Sequence, residues 1–395
     1  MSNELADRQL AVRLRLAGHE IDVICYRLDH SRAWFGKWWG RYIAYGPDGL
    51  YDLSRAPRAV IDQLPPEVER MIVSIRRRLE AHATPATRYQ RIGAPTILAE
   101  LQALHVTPLP GLRTIERICA RNGLTVSRVR TAPPIGHDEY PTPTANDSNQ
   151  LHQIDLVGPV YLKGQRQRWY IYVCKDVFDG AVYLKLAHSR RMDQVLTFLI
   201  EAWQHLGLPL QVQFDNAREL CGWGRAARYL SRVIRLCLYL RVTPIFIPYR
   251  RPQRNGSVEN FNGWFQPLLW RRHFKYPGYL QRELVRLMTT VNEKHVQFQL
   301  GQMTIAQYRR SKRLRKLPAN FKLDLETLPV SGGRAIFIRW VSARGTITLL
   351  SQTFKIGKRY KYTYVKAVLD TRRRRLTVYA VGKVLKRWPY KLSRS

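Results

Sequence analysis

The spacing of apolar positions divides the chain into three regimes. Over residues 3–124 the period is helical. NELADRQLAVRLRLAG (3–18) sets Leu5, Leu10, Val12, Leu14 and Leu16 among charged residues and ends near Gly18. IDVICYRL (21–28) predicts a short second helix, and Ser31 stands where it can cap a third, RAWFGKWWGRYIAYG (32–46). Short helix, tight turn and capped helix predict a helix-turn-helix within residues 1–58, closed by the turn-rich PDGLYDLSRAPR. Further helices over 66–82, 94–104 and 113–124 predict a second helix-turn-helix, winged-helix-like, within 59–130. The Pro-, Thr- and Asn-rich stretch that follows predicts an exposed linker over 131–148.

From residue 149 the pattern changes to strands. LHQIDLVGPV, RWYIYVCKDV and AVYLKLAH predict three strands, then MDQVLTFLIEAWQHLG a helix, LQVQFDNA a strand, GRAARYLSRVIRLCLYLR a helix and VTPIFIPY a strand. A further helix follows RPQRNGSVENFN. The order β-β-β-α-β-α-β-α predicts a mixed sheet with helices on its faces over 149–328. RAIFIRWV, GTITLLSQTFKI, KYTYVKAVLD and RLTVYAVG then predict a small β-barrel over 329–395. The fold class is multidomain α+β, and no repeat of fixed period is visible.

Charge changes this picture most. The chain carries 66 Lys+Arg against 29 Asp+Glu, a net +37. Positive charge at that density repels itself unless a polyanion shares the space, which makes nucleic acid the leading partner. An anionic membrane is the rival, but no apolar run of about 18 residues is present, and the polar N-terminus MSNELADRQL does not read as a secretory signal. A cytoplasmic protein, nucleoid-associated when bound to DNA, is expected. The five cysteines are scattered, with no CxxC, and are expected to be reduced and mostly buried. No GxxxxGK[ST] occurs, so no nucleotide cofactor is expected.

The positive charge is placed where DNA contact is expected. Candidates are Arg32, Lys37 and Arg41 on the third helix, and Arg113 and Arg117 on the last helix of the second helical unit. The segment 331–395 holds 17 Lys+Arg and one acid, Asp370, so it is expected to bind phosphates, with Arg372, Arg373, Arg374 and Arg375 at the centre. Trp34, Trp38 and Trp39 are read as core.

Against this background three carboxylates are conspicuous. Asp155 interrupts an apolar strand, Asp215 ends another, and Glu259 lies in the first turn of a helix. Hard oxygen ligands at strand ends suit Mg²⁺, and a lone acid in a buried strand is costly without a partner. Phe261, Trp264, Phe265, Leu268 and Leu269 form an apolar stripe at i, i+3, i+4, i+7 and i+8. Glu259, Asn262, Gly263 and Gln266 fall on another face, small and uncharged apart from the acid.

HQIDLVGP, FDNA and YRRPQRNGSVENFN together resemble the three acidic motifs of the DDE integrase-core transposases, the group that includes bacterial insertion-sequence transposases and retroviral integrases. LRLAGHEIDVICYRL and the segment after it resemble the N-terminal helix-turn-helix of the insertion-sequence enzymes. The resemblance implies a ribonuclease H-like core with Asp155, Asp215 and Glu259 as catalytic residues and ligands of two Mg²⁺, with Mn²⁺ as a substitute. It also implies an SH3-like terminal barrel, 3′-end cleavage and strand transfer on double-stranded DNA, and a homo-oligomeric synaptic complex. Asn216, Asn255 and Asn262 are assigned to DNA contact. Between Asp215 and Glu259 lie 43 residues, more than the family usually has, which points to an insertion around CGWGRAARYLSRVI. Ser257 and Asn260 stand where the family carries basic residues. A DNA-binding regulator without the chemistry, or a same-fold nuclease without strand transfer, are the alternatives.

Overall fold

The computed structural model describes residues 4–53, 64–125, 143–215, 228–247 and 255–392. The chain divides into two units, Met1–Gln63 and Leu64–Ser395.

In the first unit, α1 (Glu4–Leu16), α2 (Ile21–Leu28) and α3 (Arg32–Tyr45) pack on one another around Ala11, Ile24, Cys25 and Phe35, with Val12, Trp38 and Leu50 beside them. Ser31 caps α3, its Oγ accepting from the Trp34 amide at 3.1 Å. Arg8 is buried because its guanidinium lies 3.6 Å from the Trp38 ring centre and donates to the Leu50 carbonyl at 3.0 Å. The turn after α3 packs so closely that a Cβ on Gly49 would meet the Arg41 carbonyl oxygen at 2.2 Å.

The second unit opens with α4 (Pro66–Ala81), α5 (Ala94–Ala103) and α6 (Leu112–Arg121), which bury Ile72, Leu79, Ile97, Leu101 and Ile115 in a core of their own. Between α4 and α5 the chain inserts Tyr89 into the main core. Its hydroxyl donates to Glu283 at 2.8 Å, and Arg88 reaches both oxygens of the same carboxylate at 2.7 and 2.8 Å.

The main core is built on β1 (Leu151–Tyr161), β2 (Arg168–Asp176) and β3 (Val182–Ala187), an antiparallel meander. β4 (Gln211–Phe214) lies parallel to β1, and β5 (Thr243–Phe246) parallel to β4. A parallel neighbour requires a crossover; α7 (Met192–Leu206) and α8 (Arg232–Tyr239) provide the helices, with Val195, Leu199, Trp203 and Leu236 buried. Then follow α9 (Gly256–Leu269), α10 (Pro277–Thr289), the short strands β6 (Val296–Gln297) and β7 (Met303–Thr304), and α11 (Ile305–Arg310). Arg309 of α11 pairs with Asp176 at 2.9 Å and Asp179 at 2.6 Å, which fastens this helix to the loop after β2.

The C-terminal strands are β8 (Arg334–Trp340), β9 (Thr346–Leu349), β10 (Gln352–Lys355), β11 (Tyr364–Asp370), β12 (Arg375–Ala380) and β13 (Lys383–Pro389). Where the sequence predicts a separate barrel, the structure continues the core sheet. β8 pairs in parallel with β5 through Ile245–Ile336 and Phe246–Phe337, giving one sheet in the order β13-β12-β11-β8-β5-β4-β1-β2-β3, with β9 and β10 as a hairpin apart. The reason is apolar: Phe246 and Phe337 are both fully buried and stack with ring centres 5.0 Å apart, so the edge of β5 is closed by β8 rather than left unpaired. Among the described residues no helix is long and apolar enough to cross a membrane. Cys25, Cys119, Cys174 and Cys237 are buried free thiols.

Candidate functional site

Asp155 and Asp215 come from adjacent parallel strands. Each is preceded two residues earlier by a buried glutamine, Gln153 and Gln213, and these two glutamines are register partners across β1 and β4. Because side chains on one face recur every second residue, each Gln-x-Asp pair faces the same way. The glutamines fasten the start of α9. The Gln153 side-chain oxygen accepts from the Val258 amide at 3.0 Å, and Gln213 Nε2 donates to Asn255 Oδ1 at 3.2 Å. Asn255 Nδ2 in turn donates to the Ile154 carbonyl at 3.1 Å. From β2, Lys175 Nζ donates to both the carbonyl and Oγ of Ser257, at 2.9 Å each. Glu259 therefore stands on a helical turn tied to three strands.

One helical turn on, Asn262 Nδ2 donates to Asp155 Oδ2 at 2.5 Å. This fixes the Asp155 carboxyl against α9. Phe261, Phe265, Leu268 and Leu269 are buried beneath the helix as the stripe predicts, with Trp264 half-buried.

The carboxyls act on one another through their charge. Burial raises the pKa of Asp155, and the negative charge of Asp215 adds to it; the Leu156 amide and Asn262 pull the other way without cancelling the effect. Burial raises that of Glu259, and the charge of Asp155 adds to it. Asp155 is thus the hub, within electrostatic reach of both partners. Among the described residues no three His, Cys, Asp or Glu side chains lie close enough together, as they stand, to hold a metal ion. The donor chemistry nevertheless fits a hard divalent cation: oxygen ligands only, mutually repelling without a positive charge between them.

Solved structures similar to parts of this chain include three from retroviruses. The catalytic core of HTLV-2 integrase in complex with magnesium is similar at 19% identity, over 41% of this chain and 96% of that one, with a TM-score of 0.31. A simian T-cell lymphotropic virus intasome in complex with the PP2A regulatory subunit B56 gamma is similar at 16% identity, over 75% of this chain and 97% of that one, with a TM-score of 0.36. The BIV integrase core is similar at 20% identity, over 42% of this chain and 96% of that one, with a TM-score of 0.32. No family model matches the chain.

Around the three carboxylates the remaining predicted residues divide by environment. Asn255 and Asn262, assigned to DNA contact from the sequence, are both buried, and the amide of each is spent within the site. Asn216 lies outside the described residues. In the first unit Arg32 pairs with Asp22, and Arg41 donates to the Tyr51 carbonyl at 2.7 Å. Lys37 stays exposed, with its ammonium 4.7 Å from the Trp38 ring centre. Arg113 and Arg117 are exposed on α6, as are Arg372, Arg373 and Arg374 in the turn between β11 and β12, whereas Arg375 is half-buried. Sequence reasoning missed Gln153, Gln213 and Lys175. A signal was present: Gln-x-Asp occurs in both acidic strands, a polar residue two positions before each aspartate in otherwise apolar runs.

Proposed function

We propose that this chain is a DDE-type DNA transposase that binds transposon ends, cleaves at the 3′ ends and transfers them to target DNA. The observation that carries the reading is the site itself: Asp155 hydrogen-bonded by Asn262, its pKa raised by burial and by the charge of Asp215, with that of Glu259 raised by burial and by the charge of Asp155. Asp155, Asp215 and Glu259 would hold two Mg²⁺, with Mn²⁺ as a substitute. Bound divalent ions supply Lewis-acid activation of the attacking hydroxyl and charge relief at the leaving oxygen.

The protein's own part is positional. Asn262 keeps one Asp155 oxygen fixed, and the ties from Gln153, Asn255, Gln213 and Lys175 hold the turn that carries Glu259, so the helix that must bring Glu259 toward the two aspartates starts from a fixed base. In the first reaction water attacks the phosphorus at the transposon end, and the bond to the 3′ oxygen breaks, leaving a 3′-hydroxyl and a 5′-phosphate. In the second that hydroxyl attacks a target phosphodiester and displaces the target's own 3′ oxygen. The exposed arginines of α6 and of the β11–β12 turn serve as phosphate contacts. Joining two ends calls for a homo-oligomer.

The test is a strand-transfer assay of the full chain with Mg²⁺ and candidate end DNA. Joined products from wild type and none from Asp155→Asn are expected. Cleaved but never joined ends would favour the nuclease, and binding without any cleavage by wild type would favour the regulator.

A further inference from the structure

Leaving the site, β1 and α9 run side by side. Gln153 contacts Val258, Asp155 contacts Asn262, and beyond the strand the Lys163 amide donates to the Phe274 carbonyl at 2.8 Å. Gln165 Nε2 donates to the Lys275 carbonyl at 2.6 Å. Two loops distant in sequence, the β1–β2 hairpin tip and the segment between α9 and α10, are thus stapled together, and each is anchored by a buried residue, Leu162 and Phe274. What they present is basic: Lys163, Arg166, Arg168, Arg271 and Lys275 are exposed. Among the described residues none of these five makes an ion pair. The sequence holds no acid between Asp155 and Asp176, and none between Glu259 and Glu283. Both acid-free stretches begin at a site carboxylate and meet at this patch.

We infer that the patch formed by the β1–β2 hairpin and the α9–α10 segment is a docking surface for the backbone of the duplex whose phosphodiester lies at the carboxylates, a reading that rests on the proposed DNA substrate. Distance supports it. From Asp155 to the end of β1 at Tyr161 is six residues, about 20 Å at the rise of a strand. A duplex advances about 3.4 Å per base pair, so the patch meets its backbone about six base pairs from the reacting phosphate. Five cations on rigid, anchored loops suit phosphates better than base edges, so the contact carries register and affinity and no sequence preference. Arg310, Arg313 and Lys316, in and after α11, mark the opposite end of the same strand, since α11 is bound to the loop after β2.

The experiment measures duplex binding by the full chain, in EDTA, as a function of salt. With Lys163→Ala, Arg166→Ala, Arg271→Ala and Lys275→Ala combined, the slope of log K against log salt falls in magnitude by about 3 to 4, because each neutralised phosphate contributes about 0.9. Neutralising Arg310, Arg313 and Lys316 together lowers it by less than about 1 on the same scale. A slope unchanged in the quadruple variant, with thermal melting as in wild type, overturns the inference, as does an equal loss per residue in the control. A wild-type chain that binds no duplex sinks the proposed function as well, so the two failures are told apart.

Discussion

Replacing Asn262 by leucine separates fold from function in one step. The side chain is 6% exposed, and its Nδ2 makes the 2.5 Å bond to Asp155, while its Oδ1 is buried with no hydrogen-bond partner among the described residues. A hydrogen bond to a charged group contributes about 1.5–3 kcal/mol, and an unpaired buried acceptor costs about 1–3 kcal/mol. Asn262→Leu removes both at nearly constant volume but also strips Asp155 of a donor, so the effects offset only in part and the loss of stability comes to about 1–2 kcal/mol. The Asp155 carboxyl loses its orientation all the same. Loss of the group that orients a metal ligand weakens binding about 10- to 100-fold, which corresponds to about 1.4–2.7 kcal/mol. Urea unfolding in EDTA reads the first quantity, and calorimetric titration with Mg²⁺ or Mn²⁺ reads the second. A cation midpoint shifted less than about threefold, with unfolding unchanged, refutes a positioning role. A loss of stability above about 2 kcal/mol makes the residue structural instead.

Other outcomes follow from the same contacts. Asp155→Asn abolishes Mg²⁺-dependent joining while leaving duplex binding in EDTA within about twofold of wild type, because the substitution changes the ligand set and not the basic surface; a gel-shift titration beside the joining assay checks both. Glu283→Ala leaves Arg88 and the Tyr89 hydroxyl without their shared acceptor, and costs about 3–5 kcal/mol in urea unfolding. Burial, helped by the charge of Arg91, pushes Lys175 down to about 8. Its folded pKa then lies below its unfolded value, so between about pH 8 and 10.4 the unfolded chain binds the extra proton and stability rises with pH. Lys175→Met removes that rise, and unfolding followed at pH 7.5, 9 and 10 shows whether it does.

Much of the architecture was legible because periodicity is a local property. Ser31 before α3, the apolar stripe of α9 and the continuous apolar run of β2 each announce themselves within a dozen residues. The pairing of β8 with β5 is not local. Nothing in RAIFIRWV distinguishes a barrel strand from a strand that closes the edge of a distant sheet; only the facing of Phe246 and Phe337 decides it. The three carboxylates stood out because acids are scarce in a basic chain, yet Asn262 was assigned to DNA contact and not to a carboxylate. Its face of the helix is polar by pattern, but the polar partner it meets, Asp155, lies 107 positions earlier. Hydrogen bonds between remote elements leave no periodic trace, and the repeated Gln-x-Asp was the nearest thing to one.

The unbroken sheet has a mechanical corollary. β4, which Asp215 directly follows, and β11, which leads into the turn Thr371–Arg374, are separated by two intervening strands. At the usual spacing between strands that is about 14 Å, set by backbone ladders and not by a tether. Anything bound at those arginines would therefore be clamped to the carboxylates like work in a vice, with no swivel between jaw and blade. Loosening the stacked Phe246–Phe337 joint, a change that touches neither charge nor ligand, would blunt the tool by letting the jaw drift.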